Sequence, residues 1–326
     1  MTVMTMIEAI RSALHEEMAR DERVMVLGQD VGRLGGVFRA TDGLLDAFGP
    51  DRVIDTPLAE GVIVGSALGL AVAGMVPVAE IQFMGFTHQA FHQIGPQLGR
   101  FRFRTHGRLG AQVVIRTPFG GGVRTPELHS DAFEAQFVQC PGLKIVMPAT
   151  PYDAKGLLLE SIRDPDPVLF CEPLRGYRLV KGEVPAGDYT VAFGRLREAR
   201  AGEDVTVVGW SAAVQLAEQA ADRLAEEGIS AQVLDLRTLV PLDVEGLVTA
   251  VARTGRCVVV HEAPLSAGFG AEIIATVQEG AFYSLEAPIA RVTAPDTPYP
   301  LAAAEDLYIP SVDRVVDAVR QTVKAG

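Results

Sequence analysis

From Gly61 to Ala79 the chain carries no charged residue, and a carboxylate stands at each end of the run, Glu60 and Glu80. A stretch this long and apolar has to lie inside something, a bilayer or a protein core. Against a membrane span, Gly61, Gly65, Gly69 and Gly74 dilute it, Pro77 interrupts it and no Lys/Arg cluster flanks it. The pattern instead predicts a buried helix from about Gly61 to Gly74, a turn at Met75-Val76-Pro77 and a buried strand, Val78-Ala79-Glu80-Ile81-Gln82-Phe83. Gly61, Gly65 and Gly69 recur every four residues and share a face where another backbone can approach, a packing surface that could lie between subunits. Just upstream, the strand Arg52–Asp55 enters a Pro-containing turn that delivers Glu60 to the start of the helix. A carboxylate at the edge of so much apolar sequence is desolvated, paired or used. Complementing the positive end of the helix would explain it, and so would chemistry.

The remaining composition narrows the classes. A chain of 326 residues with 48% hydrophobic content can build two ordinary domains. A net charge of −12 with scattered Lys and Arg argues against nucleic-acid binding. Cys140, Cys171 and Cys257 match no metal spacing and read as small buried hydrophobes in a reducing compartment. Met1 to Met6 leads directly into a charged helix, so the expectation is a cytoplasmic protein without a signal peptide or membrane segment.

Along the chain, strands and helices alternate. Helical periodicity covers Met6 to Ala19 with Thr5 as N-cap, followed by the strand Val24–Leu27. The segment Phe86–Phe103 reads as helical. Strands follow at Ala111–Thr117, Leu143–Met147 and Val168–Cys171, with a helix capped by Ser130 and another from Pro151 to Arg163. Between Glu172 and Tyr189 the pattern lapses into Pro, Gly and charge, which marks a linker. A second unit places strands at Val205–Trp210, Ala231–Leu236, Cys257–His261 and Ile289–Thr293 among four helices. The fold class is α/β, two doubly wound domains, divided at about 1–188 and 189–326.

Three local patterns bear on chemistry. Gly32-Arg33-Leu34-Gly35-Gly36 could cradle a phosphate, but it lacks both the GxGxxG spacing and the Lys-Ser/Thr of a P-loop. His88 and His92 have the i, i+4 spacing of a zinc pair without a third ligand or a catalytic Glu nearby, and read as polar helix positions. His129 ends an irregular loop that follows a strand and a run of glycines, the kind of place where catalytic groups collect in α/β sheets. On the residues alone, a satisfied structural histidine explains it equally well.

Taken together, the blocks Gly35-Gly36-Val37-Phe38-Arg39, Asp55-Thr56-Pro57-Leu58-Ala59-Glu60, Glu80-Ile81-Gln82-Phe83, Thr117-Pro118-Phe119-Gly120-Gly121-Gly122, Cys140-Pro141-Gly142-Leu143, Thr150-Pro151-Tyr152-Asp153-Ala154-Lys155-Gly156, Asp235-Leu236-Arg237-Thr238 and Ala294-Pro295-Asp296-Thr297-Pro298-Tyr299-Pro300 carry a resemblance that runs nearly end to end. The chain resembles the β subunit of the thiamine-diphosphate-dependent decarboxylating component of 2-oxo acid dehydrogenase complexes. That resemblance implies a transketolase-like pyrimidine-binding domain followed by a transketolase C-terminal domain. It implies that Glu60 hydrogen-bonds the pyrimidine ring nitrogen and favours the imino tautomer that deprotonates the thiazolium carbon. It places Leu58, Gln82 and Phe86 in the aminopyrimidine pocket, Phe86 where relatives often have tyrosine, and gives His129 a part in positioning the acyl-accepting lipoyl group. Carbonyls of Ala111, Val113, Val114, Ser161 and Asp166, with the Asp164 carboxylate, match a structural potassium site of some members. Gln29 stands where relatives usually have glutamate, which leaves a proton relay between active sites without an acid there.

The same resemblance implies partners. The Gly-Asp-Gly…Asn motif that holds magnesium and the diphosphate is missing from this chain, so an α subunit would bring Mg²⁺ and half of each site in an α₂β₂ heterotetramer. The second domain would dock the subunit-binding domain of the lipoyl acyltransferase, with Glu286 near that surface. The expected reaction is oxidative decarboxylation of a 2-oxo acid, pyruvate before branched-chain substrates on the Thr125–Asp131 loop. A self-sufficient transketolase-like enzyme and a non-catalytic scaffold of the same fold are the alternatives.

Overall fold

The computed structural model describes residues 1–325. Its first sheet has the order β12-β6-β7-β5-β4-β2-β3 and its second β14-β13-β10-β11-β9. The strands of the first half are β1 (Thr2–Thr5), β2 (Val24–Gly28), β3 (Val53–Asp55), β4 (Val76–Glu80), β5 (Val114–Phe119), β6 (Lys144–Val146), β7 (Val168–Pro173) and β8 (Lys181–Val184). The second half supplies β9 (Arg197–Arg200), β10 (Val205–Gly209), β11 (Ala231–Asp235), β12 (Thr238–Val240), β13 (Cys257–Pro264) and β14 (Ala290–Ala294). Both sheets are parallel except at one edge, where β12 and β9 run antiparallel to their neighbours. The principal helices are α1 (Met6–Arg20), α2 (Glu60–Val72), α3 (Pro151–Arg163), α4 (Ala212–Ala225), α5 (Val244–Thr254), α6 (Gly270–Ala281) and α7 (Val312–Ala325).

Local chemistry accounts for the helix starts. Thr5 Oγ1 accepts the Glu8 N–H and the Glu8 carboxylate accepts the Thr5 N–H, a reciprocal cap for α1. Thr150 and Asp243 cap α3 and α5 in the same way with one side-chain bond each. Met6, Ile10, Leu14 and Met18 of α1 are buried and pack with Ala154, Leu157 and Leu158 of α3.

The uncharged run divides as helix then strand, but the strand begins earlier than the pattern predicts and contains Pro77. Val76 N–H bonds toward β2, so the next residue faces β5, where pairing starts only at Val78. The donor that proline lacks is therefore not required. The glycine face of α2 is largely used within the chain: Gly61 lies under the Gln89 carbonyl and Gly65 under the Gln93 side chain, while Gly69 meets nothing.

Three expectations are corrected. Phe86–Phe103 is not one helix; it is a 3₁₀ turn (84–90), a wide π-helical stretch (93–99) with Pro96 inside it, and a short helix at Phe101–Arg104. This segment threads tightly past its neighbours: a Cβ on Gly85 would collide with the Leu128 carbonyl, and one on Gly99 would stand 3.0 Å from the Pro141 carbonyl. The helix after His129 starts at Glu134 rather than at Ser130, whose hydroxyl bonds Thr125 instead. The expected linker is structured, since β7 extends to Pro173 and β8 pairs with β1 at the chain's start.

Candidate active site

Because β2, β3, β4 and β5 are mutually parallel, the loops leaving their carboxyl ends emerge at one edge of the sheet. Those loops carry Gly32–Val37, Leu58–Glu60, Gln82–Phe86 and His129. The first of them is not an open phosphate cradle. The Asp55 carboxylate takes the Gly32 and Arg33 N–H groups at 2.6 and 3.1 Å, and Gly35 and Gly36 sit at positive φ to allow the turn.

Glu60 is the first residue of α2 and is 4% exposed. Its Oε2 is buried and has no partner among the described residues, and neither does the buried Thr56 hydroxyl on the same turn. Leaving a buried carboxyl oxygen unmatched is costly, so its place at a helix N-terminus explains only part of the arrangement. His129 Nδ1 is likewise buried and unpartnered. The imidazole packs edge-on against Phe83 at 4.4 Å and Phe86 at 5.1 Å, and the two phenylalanines meet at 5.6 Å. Gln82 donates to Asp30 Oδ2 at 3.2 Å and thereby ties the loop after β4 to the loop after β2. Leu58, 66% exposed, projects from the same edge, where Leu34, Val37 and Leu128 are also exposed. Below the loops, Arg116 is buried between Glu80 and Glu172 and joins β4, β5 and β7.

The structure therefore brings Leu58, Glu60, Gln82, Phe86 and His129 to one edge, the aromatic pair directly in contact with the histidine. An acceptor or proton-sharing oxygen, a hydroxyl and an apolar and aromatic wall suit a flat nitrogen heterocycle such as the aminopyrimidine of thiamine diphosphate. Cavities among the described residues lie elsewhere. One, of about 950 Å³, is walled by Phe103, Pro141 and Pro241; another, of about 770 Å³, lies between the domains beside Asp153, Arg197 and Arg237. Glu60 faces neither of them.

The other sequence candidates are placed as follows. His88 bonds Gln136 and stacks on Phe133, and His92 bonds Gln97, so the pair does not converge. Among the described residues no three His, Cys, Asp or Glu side chains are grouped to hold a metal ion. The segments of Ala111, Val113 and Val114 and of Ser161, Asp164 and Asp166 do lie together, linked where the Val113 carbonyl accepts the Val168 N–H. There Oδ1 of the Asp164 carboxylate accepts from Lys144 Nζ at 2.6 Å and from the Asp166 N–H at 2.9 Å. Sequence reasoning missed Thr56, Glu134 and Glu262. The last stands near the end of an apolar strand, a carboxylate at the edge of uncharged sequence.

Comparison with known proteins agrees with this geometry. Residues 2–179 match the family "Transketolase, pyrimidine binding domain" and residues 194–315 match "Transketolase, C-terminal domain". The chain is 50% identical over 324 residues to the pyruvate dehydrogenase E1 component subunit beta of Staphylococcus epidermidis, covering 99% of this chain and 100% of that one. The protein of the same name from Bacillus subtilis is 48% identical with the same coverage. A solved split-gene transketolase, described as an inactive beta4 tetramer, superimposes with a TM-score of 0.81 at 25% identity over 99% of both chains. With both domains matched in order and Glu60 and His129 at one sheet edge, the chain belongs to the family of β subunits of thiamine-diphosphate-dependent 2-oxo acid dehydrogenases.

Proposed function

We propose that this β subunit completes an active site with an α subunit and serves the oxidative decarboxylation of pyruvate, with transfer of the acyl group to a lipoyl carrier. The observation that carries the reading is the buried, unpartnered Glu60 Oε2 beside an exposed apolar edge. A carboxyl oxygen without a partner among the described residues finds one in a bound ring nitrogen, and Leu34, Leu58 and Leu128 find cover against a second subunit.

Thiamine diphosphate supplies a carbon nucleophile and an electron sink when it is bound. The remaining roles fall to the residues of this chain. Glu60 holds or shares the proton at Oε2, with the apolar α2 keeping water from diluting that interaction. Leu58, Gln82 and Phe86 orient the ring. His129 offers Nδ1 to the acyl-transfer step and is fixed in direction by Phe83 and Phe86. The α subunit contributes Mg²⁺ and the diphosphate contacts, and a basic domain of the acyltransferase docks on the acidic second domain. A structural potassium ion would use the carbonyls of Ala111, Val113, Val114, Ser161 and Asp166 with the Asp164 carboxylate.

The test is to co-express the chain with its α subunit and compare kcat/KM for pyruvate and 3-methyl-2-oxobutanoate in the presence of thiamine diphosphate and Mg²⁺. Higher kcat/KM for pyruvate supports the reading. A preference for the branched substrate reassigns the acyl pocket, and no decarboxylation of either removes the function.

A further inference from the structure

The segment that carries His129 is gripped by the other domain. Its loop closes where the Gly120 N–H donates to the Asp131 carbonyl at 3.2 Å. From β13 of the second domain, Glu262 Oε2 accepts the Gly121 N–H at 3.0 Å. Tyr299 occupies the space where a Gly121 side chain would begin, and its hydroxyl donates to Glu305 at 2.8 Å. Glu305 also accepts the Arg124 N–H at 3.1 Å, and Arg124 reaches Asp306 at 2.8 Å. Just beyond the loop, Glu134 accepts the Trp210 indole N–H at 3.2 Å. Gly120 follows from this grip, since it lies at φ 80° and a side chain there would strike Glu262, while Gly122, at φ 94°, lies against Arg175 of its own domain.

Taking a carboxylate partly out of water at a domain boundary costs free energy, so adhesion alone does not account for Glu262. What a carboxylate adds is direction, one acceptor aimed at one backbone N–H. We infer that Glu262 is a positioning residue: through Gly121 it sets the loop that places His129, so the second domain acts on acyl transfer without touching substrate. This rests on the role given to His129 above.

The test uses Glu262→Ala, Glu262→Gln, His129→Ala and the Glu262→Ala/His129→Ala double variant, each assembled with the α subunit, thiamine diphosphate and Mg²⁺. Amide hydrogen exchange across residues 120–134 reports on the loop, and reductive acylation of a lipoylated domain reports on His129. Glu262→Ala should speed exchange in this segment and lower acylation on the order of 10–100-fold, the scale of an ångström-sized misplacement. Glu262→Gln keeps an acceptor oxygen and should restore most of both. The double variant should be no worse than His129→Ala alone. Unchanged exchange in Glu262→Ala, or losses that multiply in the double variant, would overturn the inference. If His129→Ala keeps full acylation, the role of His129 falls instead, and the exchange data still decide whether Glu262 holds the loop.

Discussion

Arg116 donates to Glu172 through Nε at 2.7 Å and Nη2 at 2.9 Å, and to Glu80 through Nη1 at 2.8 Å, in an interior that leaves the arginine 1% exposed. Tyr177 adds its hydroxyl to Glu172. Burial raises the Glu80 carboxyl above its usual range, opposed by the charge of Arg116, while the two carboxylates hold the guanidinium firmly protonated against its own desolvation. The unit is worth most as a connection. Replacing it whole by apolar groups could be neutral, but removing one partner leaves charge stranded.

Arg116→Met should therefore lower stability by roughly 3–5 kcal/mol, the cost of an uncompensated buried charge. Glu80→Gln should be tolerated better, because it keeps an acceptor oxygen for Arg116 and leaves Glu172 to balance the guanidinium charge. Thermal melting of the assembled protein distinguishes them, and equal losses would overturn this ranking.

Glu60→Gln preserves size but cannot share the proton. Decarboxylation should fall by roughly 10²–10⁴-fold, typical for a general acid–base group, with assembly intact. Activity within about twofold of wild type would remove Glu60 from the mechanism.

His129→Ala should damage the overall lipoyl-dependent reaction more than decarboxylation measured with an artificial electron acceptor. Equal loss in both assays would place His129 in substrate binding or decarboxylation.

Much of this site was legible because its signals are local. Glu60 announces itself as a charge at the head of an uncharged run, the capped start of α1 is written in Thr5, and α3 begins at Pro151 as its pattern predicts. The Phe86–Phe103 segment was misread because its apolar periodicity is overridden by long-range contacts at Gly85, Gly95 and Gly99, whose neighbours are distant in sequence. Glu262 was missed for the same reason: its meaning lies in Gly121, across the domain boundary. Pro77 misled at shorter range, since a proline inside a central strand is admissible only where the neighbouring ladder has not begun.

Glu286, expected near a docking surface, pairs with Arg256 at 2.7 Å and remains 55% exposed, with the exposed aromatics Phe282 and Tyr283 just before it. Glu286→Lys should slow association with the acyltransferase and leave isolated decarboxylation intact, and wild-type association should weaken with salt. Rates indifferent to both the reversal and added salt would exclude this face.

Two adjacent groups of β13 titrate in opposite senses. Burial holds His261 neutral and lowers it from 6.5 to about 4, so its contribution is lost as pH falls from 6.5 toward 4, where the unfolded chain takes the proton. Desolvation raises Glu262 from 4.5 to about 7, against the Gly121 N–H and Arg175, so its contribution is present below 4.5 and lost as pH rises through 7. Denaturation midpoints across this range should show the acid-side loss diminished in His261→Phe and the loss toward neutrality diminished in Glu262→Gln. Curves parallel to wild type would assign the pH dependence to other groups.

The strand β12 belongs in sequence to the second half of the chain yet completes the first sheet, antiparallel to β6. It acts as a stopper. A nascent or proteolysed chain lacking residues beyond the first domain would present β6 with a free row of backbone donors and acceptors, open to pairing with another molecule. Solubility of the first half thus depends on synthesis of the second, and the gene should tolerate being split only if both pieces are made together.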